Sequence, residues 1–272
     1  MLWSKVIGAG GAGGVVEGWN ISTAVLNQSF SVAAQEFSPS SLRFNFDGSK
    51  MYVLGYSGDD VNEYDLSISW DVSTAVFLQN KTVAAQNSIP TGLFFRDDGL
   101  KMYVLGISTP EVNEYSLGIA WDISSAGFTR VFSGVSSQET TPFGLFFRPD
   151  GFKMYIVGQA GNDINEYNLS TAWNISTAVF NQSFSVASED GNPAGLFFKP
   201  DGLKMYICGQ DGDDINEYDL STAWDISTAV FNQLFPVDAY ETSPTDVFFR
   251  DDGLKMYVIG IAGDAVLEYD IG

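Results

Sequence analysis

The chain contains no histidine. That removes a Ser-His-Asp triad, histidine metal ligands and an imidazole proton shuttle. Its single cysteine, Cys208, can form neither an intrachain disulfide nor a cysteine-cluster metal site. Cys208 sits in Met205-Tyr206-Ile207-Cys208-Gly209, and other copies of that segment carry Val53, Val104, Val157 or Val258 nearby. It therefore reads as a small core hydrophobe. Basic residues are scarce: 13 Lys and Arg face 34 Asp and Glu in 272 residues, a formal net charge of −21. Such a surplus repels nucleic-acid phosphates and anionic lipid heads, so nucleic-acid binding is not expected. No run approaches the ~20 apolar residues that span a bilayer, so membrane insertion is not expected either. The opening residues, Met1 to Gly10, hold no apolar stretch of secretory-signal length, and no export signal is expected from them. Helical periodicity is missing throughout. What is abundant is apolar material, 45% of residues, enough for a sizeable core and against general disorder.

The distribution of that material is periodic. Lys-Met-Tyr occurs at Lys50, Lys101, Lys153, Lys204 and Lys255, in steps of 51, 52, 51 and 51 residues. Pro39, Pro90, Pro142, Pro193 and Pro244 each precede one copy by eleven residues. Trp19, Trp70, Trp121, Trp173 and Trp224 keep the same step, as do the pairs beginning at Glu63, Glu114, Glu166, Glu217 and Glu268, each followed by Tyr. Several anchors at one period mark a repeat architecture.

One unit resolves into four short strands. Gly92-Leu93-Phe94-Phe95-Arg96 is a buried apolar run, and Asp97-Asp98-Gly99 is a tight turn with Gly99 at positive φ. Lys101 to Gly106 forms a second strand, residues 107–111 a polar loop and Val112 to Leu117 a third strand. The tryptophan segment turns the chain into a fourth, Gly127 to Phe132. Four antiparallel strands in ~51 residues is the size of a propeller blade. The sequence thus predicts an all-β, five-bladed β-propeller forming one domain over residues 19–272. The last unit stops at Glu268-Tyr269-Asp270-Ile271-Gly272, after its third strand, whereas Trp19-Asn20-Ile21-Ser22-Thr23-Ala24-Val25-Leu26 matches residues 173–180. The N-terminal strand is therefore expected to complete the C-terminal blade and close the ring. Residues 1–18, glycine-rich from Gly8 to Gly14, read as a flexible arm.

Pro149-Asp150-Gly151-Phe152-Lys153-Met154-Tyr155-Ile156-Val157 and Pro200-Asp201-Gly202-Leu203-Lys204-Met205-Tyr206 resemble the Pro-Asp-Gly-x-x-x-Tyr-Val turn of β-propeller repeats. That turn is shared by the bacterial Tyr-Val-Thr-Asn and lactonase-like families and loosely by WD repeats. The kelch glycine doublet and the Trp-Asp ending of WD repeats are both missing. Near-identical copies and the count of five resemble the five-bladed lectins of the tachylectin type, and such repeats also resemble those of phage tail-associated proteins. The resemblance specifies a fold; that superfamily holds enzymes, lectins and scaffolds.

In such a ring, blade-to-blade loops and second-to-third-strand loops share one face. Gln35-Glu36, Gln86-Asn87, Gln138-Glu139, Glu189-Asp190 and Tyr240-Glu241 precede the innermost strands and are expected to ring the channel mouth with hydrogen-bonding groups. Asp59-Asp60, Glu111, Asn162-Asp163, Asp213-Asp214 and Asp264 share that face. Amides and carboxylates suit sugar hydroxyls, and clustered carboxylates suit calcium, although no loop has the dense alternating acidic spacing of a dedicated calcium site. The plainer account is that of solvated turn residues. The tryptophans admit two readings: sugar-stacking platforms, or structural wedges where blades splay apart. The Glu-Tyr pairs read as cross-strand partners of Lys-Met-Tyr.

An enzyme should break the symmetry. Asp246 does, standing where other copies have Ser41, Gly92, Gly144 or Gly195. A glycosidase built on it would need a second carboxylate ~5 to 9 Å away, with Glu241 or Glu189 as candidates. The favoured expectation is a monomeric, non-catalytic binding module without cofactor, recognising glycans multivalently. The alternatives are a protein-interaction platform, possible in a virion, and an Asp246 glycosidase or lyase.

Overall fold

In the computed structural model, which describes residues 18–272, the repeat becomes five four-stranded antiparallel sheets arranged as the blades of a propeller. The arm expected over residues 1–18 lies outside the described residues except for Gly18. The first blade comprises Pro39–Phe44, Lys50–Gly55, Asp60–Leu66 and Ala75–Thr82, from the channel outwards. The second, third and fourth blades occupy residues 90–132, 142–185 and 193–236. The fifth takes Pro244–Phe249, Lys255–Gly260 and Ala265–Asp270 from the C-terminal end, and its outermost strand, Val25–Ser31, from the N-terminal end. Val25 lies opposite Asp270 and Ser31 opposite Ala265, so the ring closes as expected.

Burial explains the composition of each strand. The innermost and second strands are covered on both faces and read as nearly continuous apolar runs. Outermost strands alternate between exposed and half-buried residues, as one-sided strands do.

The seams between blades account for the anchors. Each Lys-Met-Tyr tyrosine donates its hydroxyl to the tryptophan carbonyl across the seam: Tyr52 to Trp121 (2.6 Å), Tyr103 to Trp173 (2.9 Å), Tyr155 to Trp224 (2.8 Å), Tyr206 to Trp19 (3.2 Å) and Tyr257 to Trp70 (2.7 Å). Every seam carries this bond, including both seams flanking the composite blade. The Glu-Tyr glutamates form a second belt. Glu63, 1% exposed, accepts from Lys50 Nζ (2.6 Å), from Gln79 Nε2 (2.9 Å) and from Ile123 N of the next blade (3.3 Å). The cross-strand lysine–glutamate contact read from the sequence is therefore present. At the closure, Gln28 of the N-terminal strand donates to Glu268 (2.8 Å) and to Asp71 of the first blade (2.6 Å).

The tryptophans are wedges. Trp121 packs on Phe95 of its own blade and on Tyr52 of the preceding one, with centroids 5.4 and 6.2 Å apart. Its backbone is left-handed, φ 65°, and its N–H donates to Gly99 O at 3.0 Å. Gly99 itself has φ 69°, and a Cβ there would lie 2.4 Å from the Trp121 ring. The following Asp122 caps a single 3₁₀ turn, accepting from Ser124 N, as the Asp-Ile-Ser order demands.

Candidate functional site

Of the polar pairs flanking the innermost strands, one member of each is buried and engaged with the second-to-third-strand loop. Glu36, Glu139 and Glu241 are at most 2% exposed. Glu36 accepts from the backbone N–H groups of Ser38 (2.8 Å), Ser57 (3.0 Å) and Gly58 (3.1 Å). Glu139 does the same with Thr141, Ala160 and Gly161, and Glu241 with Ser243, Ala262 and Gly263. Asp190 accepts from Asn192 and Gly212, and Asn87 accepts from Ile89 N while donating to Thr109 O. These five side chains tie the second-to-third-strand loop to the chain entering the blade. They are loop anchors, not free hydrogen-bonding groups at a channel mouth, because each satisfies backbone donors that would otherwise be orphaned.

Their neighbours are half-buried or exposed. Gln35, Gln86 and Glu189 accept the hydroxyls of Tyr64 (3.4 Å), Tyr115 (3.1 Å) and Tyr218 (3.2 Å). Gln138 takes no such bond, and the Tyr167 hydroxyl is buried without a partner. Tyr240 is 57% exposed. Among the described residues, no group of three or more carboxylates or other metal-binding side chains is gathered for a metal ion.

Asp246 is 2% exposed and lies inside the ring. It ion-pairs with Arg43 at 2.7 Å. Its Oδ2 also accepts from Ser41 Oγ (2.6 Å) and Leu42 N (3.0 Å), and its Oδ1 accepts from Val247 N (2.9 Å). Burial lifts its carboxyl above the ordinary range, while Arg43, Ser41 and the two backbone donors pull it back. Both oxygens of Asp246 are thus engaged within the protein; of the carboxylates paired with it in the sequence reading, Glu241 is held by loop backbone and Glu189 accepts the Tyr218 hydroxyl.

Arg43 leads to the cavity. It stands where the other blades place Phe94, Phe146, Phe197 and Phe248. Those four rings meet edge to face around the axis, 5.4, 5.5 and 5.4 Å between successive centroids. Arg43 takes the fifth place and reaches across the axis: NH2 donates to Leu145 O of the third blade at 3.1 Å, and NH1 to Leu42 O at 2.6 Å. Its Nε–H has no acceptor among the described residues. Above this layer opens a funnel of about 390 Å³, walled by the phenylalanines and by Trp70, Trp121 and Trp224. Its rim is formed by the first residue of each tight turn: Phe46, Asp97, Pro149, Pro200 and Asp251. The funnel opens on the tight-turn face, opposite the face favoured from the sequence.

The polar groups of the funnel sit on one side. Asp97 and Asp251 belong to the two blades flanking the first, and among the described residues neither has an ion-pair partner. Burial pushes the Asp97 carboxyl up, and the charge of Asp251 adds to it. Burial also raises Asp251. The basic residues beside them are engaged elsewhere: Arg96 with Asp98 (2.6 Å) and Arg250 with Asp252 (2.8 Å). The signal for this site lay in the column containing Arg43, the only charged residue among four phenylalanines.

No family profile matches the chain, and no curated protein matches it in sequence. Solved structures resemble it in fold. A 6-phosphogluconolactonase candidate from Bacteroides uniformis is 14% identical, with a TM-score of 0.53 over 84% of this chain and 65% of that one. The periplasmic gluconolactonase of Pseudomonas aeruginosa is 14% identical, with a TM-score of 0.50 over 85% and 66%. A functionally unknown protein from Desulfotomaculum acetoxidans is 13% identical, with a TM-score of 0.50 over 82% and 62%. The chain thus spans slightly under two thirds of each. At these identities the likeness is one of propeller fold.

Proposed function

We propose that this propeller is a non-catalytic binding module that takes a carbohydrate into the aromatic funnel. The observation that carries the reading is the funnel itself, whose aromatic walls and single polar quadrant match the usual composition of small-ligand sites. Pyranose rings present an apolar face to aromatic rings, while the carboxylates and the Arg43 guanidinium suit hydroxyls. One central site replaces the multivalent ring of sites inferred from the repeat. The lactonase names of two similar structures do not transfer, because one fold hosts unrelated chemistries.

The test is titration of glucose- and hexosamine-based oligosaccharides, read by tryptophan fluorescence. Asp97→Ala is expected to weaken binding at least ~10-fold, about 1.4 kcal/mol, whereas Gln86→Ala and Gln138→Ala leave it unchanged. Absence of any spectral or thermal response to the whole panel refutes the proposal.

A second reading, a protein-interaction platform, has its own observation. Val25, Val76, Val179 and Val230 are each 67% exposed near the start of the outermost strands of four blades, an apolar side chain repeated around the periphery. Serine at Val76 and Val179 would abolish partner capture and spare glycan binding under this reading.

A further inference from the structure

Net charge in the funnel is confined to one place. Arg43 is neutralised by Asp246 at 2.7 Å. The rim positions of the first, third and fourth blades are Phe46, Pro149 and Pro200, which carry no charge. The residues preceding the rim in those two latter blades, Arg148 and Lys199, are held by Asp150 (2.7 Å) and Asp201 (2.8 Å). The first blade has Asn45 at that position, and its amide donates to Ser49. Asp97 and Asp251 are therefore the uncompensated charges lining the cavity, one on each side of the first blade. The cavity they line is also walled by aromatic rings, whose quadrupoles favour a cation.

We propose that the sugar held in this funnel is an amino sugar with a free, protonated amine, its ammonium placed between Asp97 and Asp251 and its ring against the phenylalanine layer. The inference rests on the funnel being a glycan site. Three features support it. Both carboxylates line the same cavity, and among the described residues neither has a cationic partner, the neighbouring Arg96 and Arg250 being paired with Asp98 and Asp252. A neutral sugar would leave both charges without a counterion on binding, at the cost of their hydration. Arg43, which lines the same cavity, supplies a donor for a hydroxyl of the same ring.

The experiment compares three oligosaccharides of equal length by calorimetry with the full chain: fully deacetylated glucosamine, N-acetylglucosamine and glucose. It is run at about pH 6, above the ordinary carboxylate range and below the ordinary amine range. The deacetylated oligomer is expected to bind at least ~10-fold tighter than the other two, with the preference shrinking as salt is raised. Asp97→Asn with Asp251→Asn should erase the preference while the neutral oligomers still bind; should the pair not fold, Asp97→Asn alone reads the same preference. Equal affinity for all three overturns the amino-sugar inference and leaves the funnel as a glycan site. Failure of every oligomer to bind overturns the glycan reading as well. A simple alkylamine that binds as tightly as the glucosamine oligomer overturns the sugar and retains only the cation.

Discussion

Ser41, Arg43 and Asp246 each depart from the repeat, and all three meet in one buried cluster. A lone acidic substitution in a repeat looks like drift; in three dimensions it is half of an ion pair. Removing one partner of a buried pair costs about 3–5 kcal/mol, because the other charge is left uncompensated. Asp246→Gly should therefore destabilise the chain strongly in urea denaturation. Adding Arg43→Phe restores the residues of the other blades and should recover most of the loss; a double variant no more stable than the single one would refute this account. A smaller effect separates Asn162 from its equivalents. With its amide nitrogen turned inward, Asn162 donates to the carbonyls of Gln159 and Gly191, both at 2.8 Å. Asp59, Asp213 and Asp264 occupy the same left-handed position, and each has a buried oxygen without a partner. Burial raises all three carboxyls, with Glu36 adding to Asp59 and Asp264, and Asp238, Asp190 and Asp211 adding to Asp213. A folded-state value above the unfolded one favours the native state below about pH 4, and that advantage is lost as pH rises. Replacing the three by Asn should stabilise the chain at neutral pH by about 0.5–1 kcal/mol per site, read as a higher Tm, and change little at about pH 3.5. An equal gain at both pH values would contradict it.

Strands, turns and their order were legible because each anchor residue acts within its own element. Proline opens a strand, Asp-Gly turns it, and Asp-Ile-Ser caps the 3₁₀ turn after tryptophan. The role of Glu36 was not legible, since what it satisfies is a set of backbone N–H groups about twenty residues further on, at Ser57 and Gly58. Such donors leave no trace in residue type, so a buried loop anchor and a solvated ligand group look alike. Gln35-Glu36 shows both outcomes side by side. The funnel was missed for a different reason: it needs the Phe94 column read across all blades, and the rings converge only once the blades are arranged about an axis. At this scale the turns tolerate little change. Gly99→Ala would force an alanine into φ 69° with its Cβ 2.4 Å from Trp121, and a loss of about 1–3 kcal/mol is expected in thermal denaturation. Tyr103→Phe removes one seam bond and should cost about 1 kcal/mol, with the far-ultraviolet spectrum unchanged.

The ring is held together by the segment nearest the N-terminus. Residues 19–31 supply Trp19 to the seam with the fourth blade, the outer strand of the fifth, and Gln28 to the first. Gly272 N donates to Thr23 Oγ1 at 3.1 Å, so the last residue lies beside the turn that leads into this strand. Deleting residues 1–31 should therefore abolish cooperative unfolding rather than merely lower the midpoint. Grafting residues 19–31 after Gly272 through a short glycine linker should restore it, since every seam would be rebuilt from the same contacts. A deletion variant that still unfolds in one sharp transition would show the clasp to be dispensable.

The guanidinium of Arg43, stretched from the first blade to Leu145 of the third, lays a charged crossbar over the axis at the level of the phenylalanines. Under the proposed reading, how deep a ligand sinks between the aromatic walls would then be set by one side chain, and shortening Arg43 would lower the floor.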